Sequence, residues 1–312
     1  MRIVLFIMLM SSAIMAQSFG TTVYQFLEHS YSPRDAALGG NLSLYSPETA
    51  SQLSNPAAIS LMDTSQLAAS YSSYFLDMQS GYLGYTLAPN AYGHFAFGLI
   101  YFDYGSFDNT DEFGQSNGST FTGNEMAFVA SWSRLLEENI YFGLNFKGIY
   151  SGLADFSSTG LAFDVALMWT PEFLNEGSLF IAAKNMGRQL TYYNDTKENL
   201  PANLEIGISN KPKHLPITLG VRWHHINYRS EELMDRLKRF VASAEFIRPN
   251  RFAVRLSYDN DVRENLALEN SSGIGGIALG LGIFWNDFRF DYAFGLMNDL
   301  GNLHRFGVVW QM

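Results

Sequence analysis

From Ser65 to Met312 the chain repeats one pattern about fourteen times: a run of some ten residues in which apolar side chains alternate with polar or small ones, then a turn. Alternation with period two marks a strand whose two faces meet different surroundings. The pattern places strands near 65–76, 80–88, 94–104, 121–133, 140–150, 160–170, 177–186, 202–209, 217–226, 240–248, 251–259, 273–285, 288–296 and 303–311. Most are about 9–11 residues long, the length a tilted strand needs to cross a bilayer. An even number suits a closed antiparallel barrel with both chain ends on one side. Ile140–Tyr150 is the clearest example: Ile140, Phe142, Leu144 and Phe146 share one face, and Tyr141, Gly143, Asn145 and Lys147 the other.

A soluble β-sandwich, such as a lectin or adhesin, produces a similar alternation. Two observations favour a transmembrane barrel. Charged residues are only 16% of the 312 and aromatics 15%, with 25 Phe and 17 Tyr, whereas about 25% charged is usual for soluble domains. The mean hydropathy of -0.03 excludes a bundle of transmembrane helices. The connections are also sorted. Pro89–Gly93, Arg134–Asn139, Pro171–Glu176, Asn210–Pro216, Pro249–Asn250 and Asn286–Asp287 are short, while Gly105–Thr120, Ser151–Thr159, Gly187–Pro201, Asn227–Arg239 and Asn260–Ser272 are long. Short periplasmic turns and long outer loops are the outer-membrane pattern. The expected fold is an all-β, 14-stranded antiparallel transmembrane β-barrel with an N-terminal plug in its lumen.

The segments before the strands differ in kind. Residues 1–16 read as a signal peptide: Arg2, an apolar run Ile3–Met10, and Ala16 before the cut. The expected location is therefore the bacterial outer membrane. Residues 17–64 lack the strand rhythm; Tyr24–Met62 is rich in Ala, Ser, Gly and Asn and broken by Pro33, Pro47 and Pro56. This segment is expected to enter the barrel from the periplasmic end as a plug, and residues 65–312 to form the wall. Within the outer loops, Leu233, Leu237 and Phe240 follow Ser230, Glu231 and Glu232 at near-helical spacing, so a short helix is expected there.

Residues suggestive of chemistry are weak in context. Gly114-Gln115-Ser116-Asn117-Gly118 has the form of a nucleophile elbow but lies in a polar loop without the helix that motif needs. Gly273–Ala278 resembles a dinucleotide fingerprint, but no βαβ unit follows it. There is no cysteine, and His224 and His225, read as neighbours in one strand, should point to opposite faces and not share a metal. No catalytic residue, cofactor or metal is expected, and the net charge of -10 argues against nucleic acid. Lys147, Asp164, Lys184, Glu205, Arg222, Glu245, Arg255 and Asp291 fall at inward positions. Their expected work is holding the plug or tuning the lumen through paired charges.

Asn55-Pro56-Ala57, following Ala- and Gly-rich sequence, resembles the plug region of the FadL-type outer-membrane barrels. A narrower set resembles the PorQ proteins of the type IX secretion system: Tyr24-x-Phe26-Leu27 with Arg34-x-Ala36-Ala37-Leu38-Gly39-Gly40, Tyr101-x-x-Tyr104-Gly105-x-Phe107, Asp111-Glu112-Phe113-Gly114, and Asn185-Met186-Gly187-x-Gln189-Leu190. The resemblance implies a non-enzymatic barrel of an attachment complex. It would sit in outer-membrane lipid and tether a PorZ-like surface protein near the sortase and a PorV-like shuttle barrel. Arg34, Gly39, Gly40, Asn55, Pro56 and Ala57 would then belong to the plug, and Asp111, Glu112, Phe113, Leu233 and Leu237 would face partners. The alternative is a FadL-like channel for hydrophobic small molecules.

Overall fold

The structure, a computed structural model, describes residues 22–42, 45, 47–111, 113, 115–194, 196–227, 233–265, 275–297 and 301–312. The leader read at residues 1–16 lies outside them, as does Glu112. The strands are β1 (Gln66–Ser73), β2 (Gln79–Thr86), β3 (His94–Thr110), β4 (Ser116–Glu137), β5 (Ile140–Leu153), β6 (Phe156–Trp169), β7 (Leu179–Thr191), β8 (Asn203–Asn210), β9 (Ile217–Trp223), β10 (Phe240–Arg248), β11 (Phe252–Asp259), β12 (Ile277–Trp285), β13 (Phe288–Leu296) and β14 (Asn302–Gln311). Each pairs antiparallel with the next, and β14 returns to β1 with Gln311 opposite Gln66. Among the described residues closure leaves no edge of the wall itself open, which a sheet surrounded by lipid requires.

The alternation read in the sequence sorts inside from outside. On β5, Gly143, Asn145, Lys147 and Ile149 are buried within the barrel while Phe146 and Tyr150 face out. Leu83, Leu99, Phe128, Phe163, Ile181, Leu256 and Leu281 continue the exposed apolar band. Such a band has no place in water but matches a hydrocarbon layer. Four of the five tryptophans, Trp132, Trp169, Trp285 and Trp310, stand near the short-turn end. Trp310 stacks on Phe288 at 5.8 Å and Trp169 meets Phe173 edge-on at 5.6 Å, giving that rim an aromatic girdle. A closed barrel with an apolar exterior and an aromatic rim is a protein of the bacterial outer membrane.

The opposite end corrects part of the loop reading. Gly105–Thr120 is mostly not loop: β3 and β4 run on together as a two-stranded ribbon past the wall, pairing Ser106 with Thr122 and Thr110 with Ser116. Its Ser, Thr, Asp and Asn look like loop in composition, but a ribbon standing in water needs only its backbone ladder. A register shift between Asp103 and Ser106, at Gly105 with φ +79°, starts the projection. At the tip Asp111 Oδ1 accepts from the nitrogens of Phe113 and Gln115, leaving Phe113 80% exposed. Likewise β5 and β6 shorten the connection expected at Ser151–Thr159 to residues 154–155, and β7 continues to Thr191. A short helix, α3 (Leu233–Leu237), stands within Asn227–Arg239 with Leu237 exposed, and α4 (Asn260–Asn265) lies where the sequence suggests only loop.

The N-terminal segment packs against the inward face. It carries 3-10 turns at Gln25–Glu28 and Pro56–Leu61 and two short helices, α1 (Pro33–Ala37) and α2 (Ser51–Ser54). Ser32 caps α1, and Asn55 accepts from the Ala57 nitrogen at 2.9 Å ahead of Pro56. The segment runs the length of the barrel. Thr22 bridges to Asn199 and the Tyr24 hydroxyl meets Ser158 at 2.5 Å near the long-loop rim, while Met62 leads into β1 at the short-turn end. Wall glycines make room for it. A Cβ on Gly143 would overlap the backbone of Pro56 and Ala57, and one on Gly307 would reach Pro33 at 2.9 Å. Replacing Gly143 by Val should therefore dislodge the Pro56–Leu61 turn and make residues 22–62 sensitive to limited proteolysis. The barrel should keep its heat-modifiable migration on gels.

Candidate functional site

The barrel interior is organised by charge pairing. Six side chains close a ring of alternating sign: Arg34, Glu48, Arg289, Asp291, Arg255 and Glu245. Arg34 bonds Glu245 through two nitrogens, Nε at 2.8 Å and Nη2 at 2.7 Å, and reaches Glu48 at 3.3 Å. Glu48 pairs with Arg289, which lies 2.6 Å from Asp291. Arg255 bridges Asp291 at 2.6 Å and Glu245 at 2.8 Å. Arg34 and Glu48 come from the N-terminal segment, the rest from β10, β11 and β13. The ring has no net charge, and Arg34, Glu48, Glu245 and Arg255 are each at most 2% exposed.

Two further clusters tie the segment to the wall. Glu205 on β8 pairs with Lys184 on β7 and Arg222 on β9, both at 2.9 Å. Arg222 then donates from Nε to Asn41 Oδ1 and from Nη2 to the Gly39 carbonyl, each at 3.0 Å. Gly39 and Gly40 have φ +64° and +80°, and a Cβ on Gly40 would come within 2.6 Å of Arg222 Nη2. Across the barrel Lys147 on β5 meets Asp164 on β6 at 2.8 Å, and Asn145 Nδ2 donates to both Asp164 and the Gln52 carbonyl at 2.7 Å.

All eight inward charges singled out in the sequence thus sit in three clusters. Sequence reasoning missed two charged members, Arg289 and Glu48, and also Glu28, whose carboxylate accepts from Asn185 and Asn203 beside Glu205. Arg289 shares its face with Asp291, so period two marks it. Glu48 and Glu28 lie in the segment without rhythm, where no spacing assigns a direction. The reading of His224 and His225 is corrected. Strand β9 ends at Trp223, and His225 takes φ +52°, which turns its ring back so that the two Nδ1 atoms are 2.8 Å apart. Ser116 of the Gly/Ser motif opens β4 in the exposed ribbon, with no helix after it.

The ring lies in the short-turn half. On the long-loop side of α1 is a cavity of about 460 Å³, with Leu27, Ile100, Leu303 and Ile277 among its apolar lining and Lys184 and Arg222 among its charges. The N-terminal segment supplies its floor through Asp35, Ala36, Gly39 and Leu53.

Breaking a buried pair costs more than the pair contributes, about 3–5 kcal/mol, because a lone charge is left without water. Arg34→Ala should release residues 22–62 to protease and raise single-channel conductance in planar bilayers, and Gly143 in its native form should not prevent this. Burial alone would raise the Glu48 carboxyl; Arg289 and Arg34 beside it outweigh burial and hold its pKa at about 2. Its contribution is present above the ordinary carboxylate range and lost as pH falls through that value. The Glu48 contribution to protease protection of the segment should therefore hold above the ordinary carboxylate range and fall progressively from about pH 4 toward pH 2.

No protein-family model and no curated protein matches the sequence. Solved structures do. The toluene transporter TodX of Pseudomonas putida superposes with a TM-score of 0.56 at 13% identity, covering 96% of this chain and 99% of that one. The toluene transporter TbuX of Ralstonia pickettii gives 0.56 at 12%, covering 90% and 97%. A FadL homologue of Pseudomonas aeruginosa gives 0.53 at 12%, covering 91% and 97%. At these identities the likeness is one of fold. The chain has the fold of the FadL-like outer-membrane channels.

Proposed function

We propose that the protein is a non-enzymatic outer-membrane channel that admits hydrophobic small molecules, in the manner of the FadL-like barrels it resembles in fold. The observation that carries this reading is the cavity on the long-loop side of α1. Its 460 Å³ lie within the roughly 300–1,000 Å³ of small-molecule sites. Leu27, Ile100 and Leu303 offer apolar contact, and Lys147, Lys184, Glu205 and Arg222 on the same lining are engaged in ion pairs. Two of the similar structures are toluene transporters, so a monoaromatic hydrocarbon is the substrate class to test first. In this reading residues 1–16 are the leader, 17–64 the plug with Arg34, Gly39, Gly40, Asn55, Pro56 and Ala57, and 65–312 the wall.

A second reading rests on the ribbon formed by the outer ends of β3 and β4. Phe113 is exposed at its tip and Phe107 stacks on Phe121 at 5.4 Å, a rigid aromatic projection suited to holding a partner. In that reading the barrel tethers a PorZ-like surface protein near the sortase and a PorV-like shuttle barrel of a type IX attachment complex. Asp111, Glu112, Phe113, Leu233 and Leu237 would then face partners. The two readings separate by mutation. Leu303→Trp, which fills the cavity, should lower uptake of labelled toluene by about tenfold, as expected for loss of a small apolar site, while leaving surface-protein retention intact. Phe113→Asp should leave uptake intact. Uptake unchanged by both Leu303→Trp and gene deletion would remove the channel reading; loss of a co-purifying surface protein with Phe113→Asp would establish the tether.

A further inference from the structure

At the outer end of the cavity, His224, His225 and Asp261 bring one ligand atom each within 4.8 Å of one another. They come from three places in the chain. His224 and His225 follow β9, Asp261 lies in the first turn of α4, and Glu28 of the N-terminal segment approaches from the other side. The two Nδ1 atoms face each other at 2.8 Å, with the rings at 72°. The remote nitrogen of each ring points toward a carboxylate: His225 Nε2 lies 2.7 Å from Glu28, and His224 Nε2 lies 4.0 Å from Asp259.

Carboxylates behind histidines hold the ring and place the lone pair on the nitrogen in front. With Glu28 accepting the Nε2 proton of His225, the Nδ1 of that ring is a lone pair. If His224 Nδ1 carries a proton to meet it, His224 Nε2 becomes a second lone pair with no donor. His224 is 7% exposed and its Nε2 has no hydrogen-bond partner, a costly state for a buried polar atom. A cation between the two Nδ1 atoms resolves this. Both front nitrogens then coordinate, and His224 Nε2–H turns to Asp259. Nitrogens about 2.0–2.1 Å from a tetrahedral Zn²⁺ stand a little over 3 Å apart, so the pair need open by only about half an ångström.

We propose that His224 Nδ1, His225 Nδ1 and the Asp261 carboxylate bind a divalent first-row transition-metal ion, with Glu28 and Asp259 as positioning residues and a coordination position open to the cavity. Imidazole and carboxylate together suit Zn²⁺ and its neighbours and not Ca²⁺ or Mg²⁺, which prefer all-oxygen sites. The ion would fasten α4 and the end of β9 onto the N-terminal segment through Glu28.

The test is calorimetric titration of Zn²⁺ into full-length, chelator-stripped protein in detergent. One ion per chain is expected at micromolar affinity or tighter. His225→Ala and Asp261→Asn should each abolish it or weaken it by at least tenfold, and Glu28→Gln should weaken it about ten- to a hundredfold. His304→Ala, at an exposed histidine on β14, should leave it unchanged. Heat-modifiable migration certifies each variant as folded, Asp261→Asn included, since Asp261 also lies 3.9 Å from Arg239 ahead of β10. Absence of a stoichiometric site in the wild-type protein overturns the proposal, as does equal affinity in folded Asp261→Asn and His225→Ala.

Discussion

A charge inside a barrel whose exterior is hydrocarbon must find a group that offsets its burial. Most of the buried charges here find an opposite charge, while Glu125 takes the Tyr104 hydroxyl and Arg305 the Tyr74 ring. The interior of this protein follows from that constraint. The Arg34–Glu48–Arg289–Asp291–Arg255–Glu245 ring satisfies it with no charge left over. It also divides responsibility: four members belong to the wall and two to the N-terminal segment. Without the segment, Glu245 would lose the bidentate arginine and Arg289 one of its carboxylates. The wall is thus built to receive the segment, and the segment has no reason to fold alone. Its helices are of four and five residues, far below the length at which a helix is stable in water.

Shape reinforces charge. Gly143, Gly280 and Gly307 stand on the inward face where Ala57, Ala37 and Pro33 approach. A side chain at any of them would hold the segment away from the wall and stretch the ion pairs. Small residues in the segment and glycines in the wall are therefore two halves of one fit. The same closeness explains Gly40, whose missing Cβ leaves the place that Arg222 Nη2 occupies. The segment is pinned along its whole length, and free volume collects on its long-loop side, where Leu27, Ile100 and Leu303 surround the cavity.

Much of this is legible in the sequence, and the illegible parts have definite causes. Period two runs through most of the wall because one face meets lipid and the other the lumen, with a break at Asn185 on β7 where φ is +56°. Strand number, closure and the eight inward charges can therefore be read from spacing. Arg289 is readable by the same rule, two residues from Asp291. Glu28 and Glu48 are not, since the segment carrying them has no period and its directions are set by the wall. The ribbon of β3 and β4 escapes a reading based on composition, because polar residues in water look alike whether paired or not. His224 and His225 mislead for a subtler reason. Strand alternation holds only while φ stays extended, and the +52° at His225 breaks it at one residue.

The ring also bears on how anything could pass. An apolar solute descending from the cavity meets six paired charges, and moving it between them would strip ions of partners while supplying none. The cheaper course keeps the ring's pairs intact on one side and shifts the segment as a body, or leaves the ring closed and the solute above it. Arg34 bears on both courses, since it joins the segment to β10 through two hydrogen bonds to Glu245, beside those of Asn41 to Val241 and Ser243. A channel needs that junction to open within its working time; a scaffold needs it never to open. Arg34 is charged under all physiological conditions and Glu48 stays ionised far below neutral pH, so proton concentration does not set the junction. The cavity adjoins that junction, since its lining includes Asp35 and Ala36 next to Arg34 in α1.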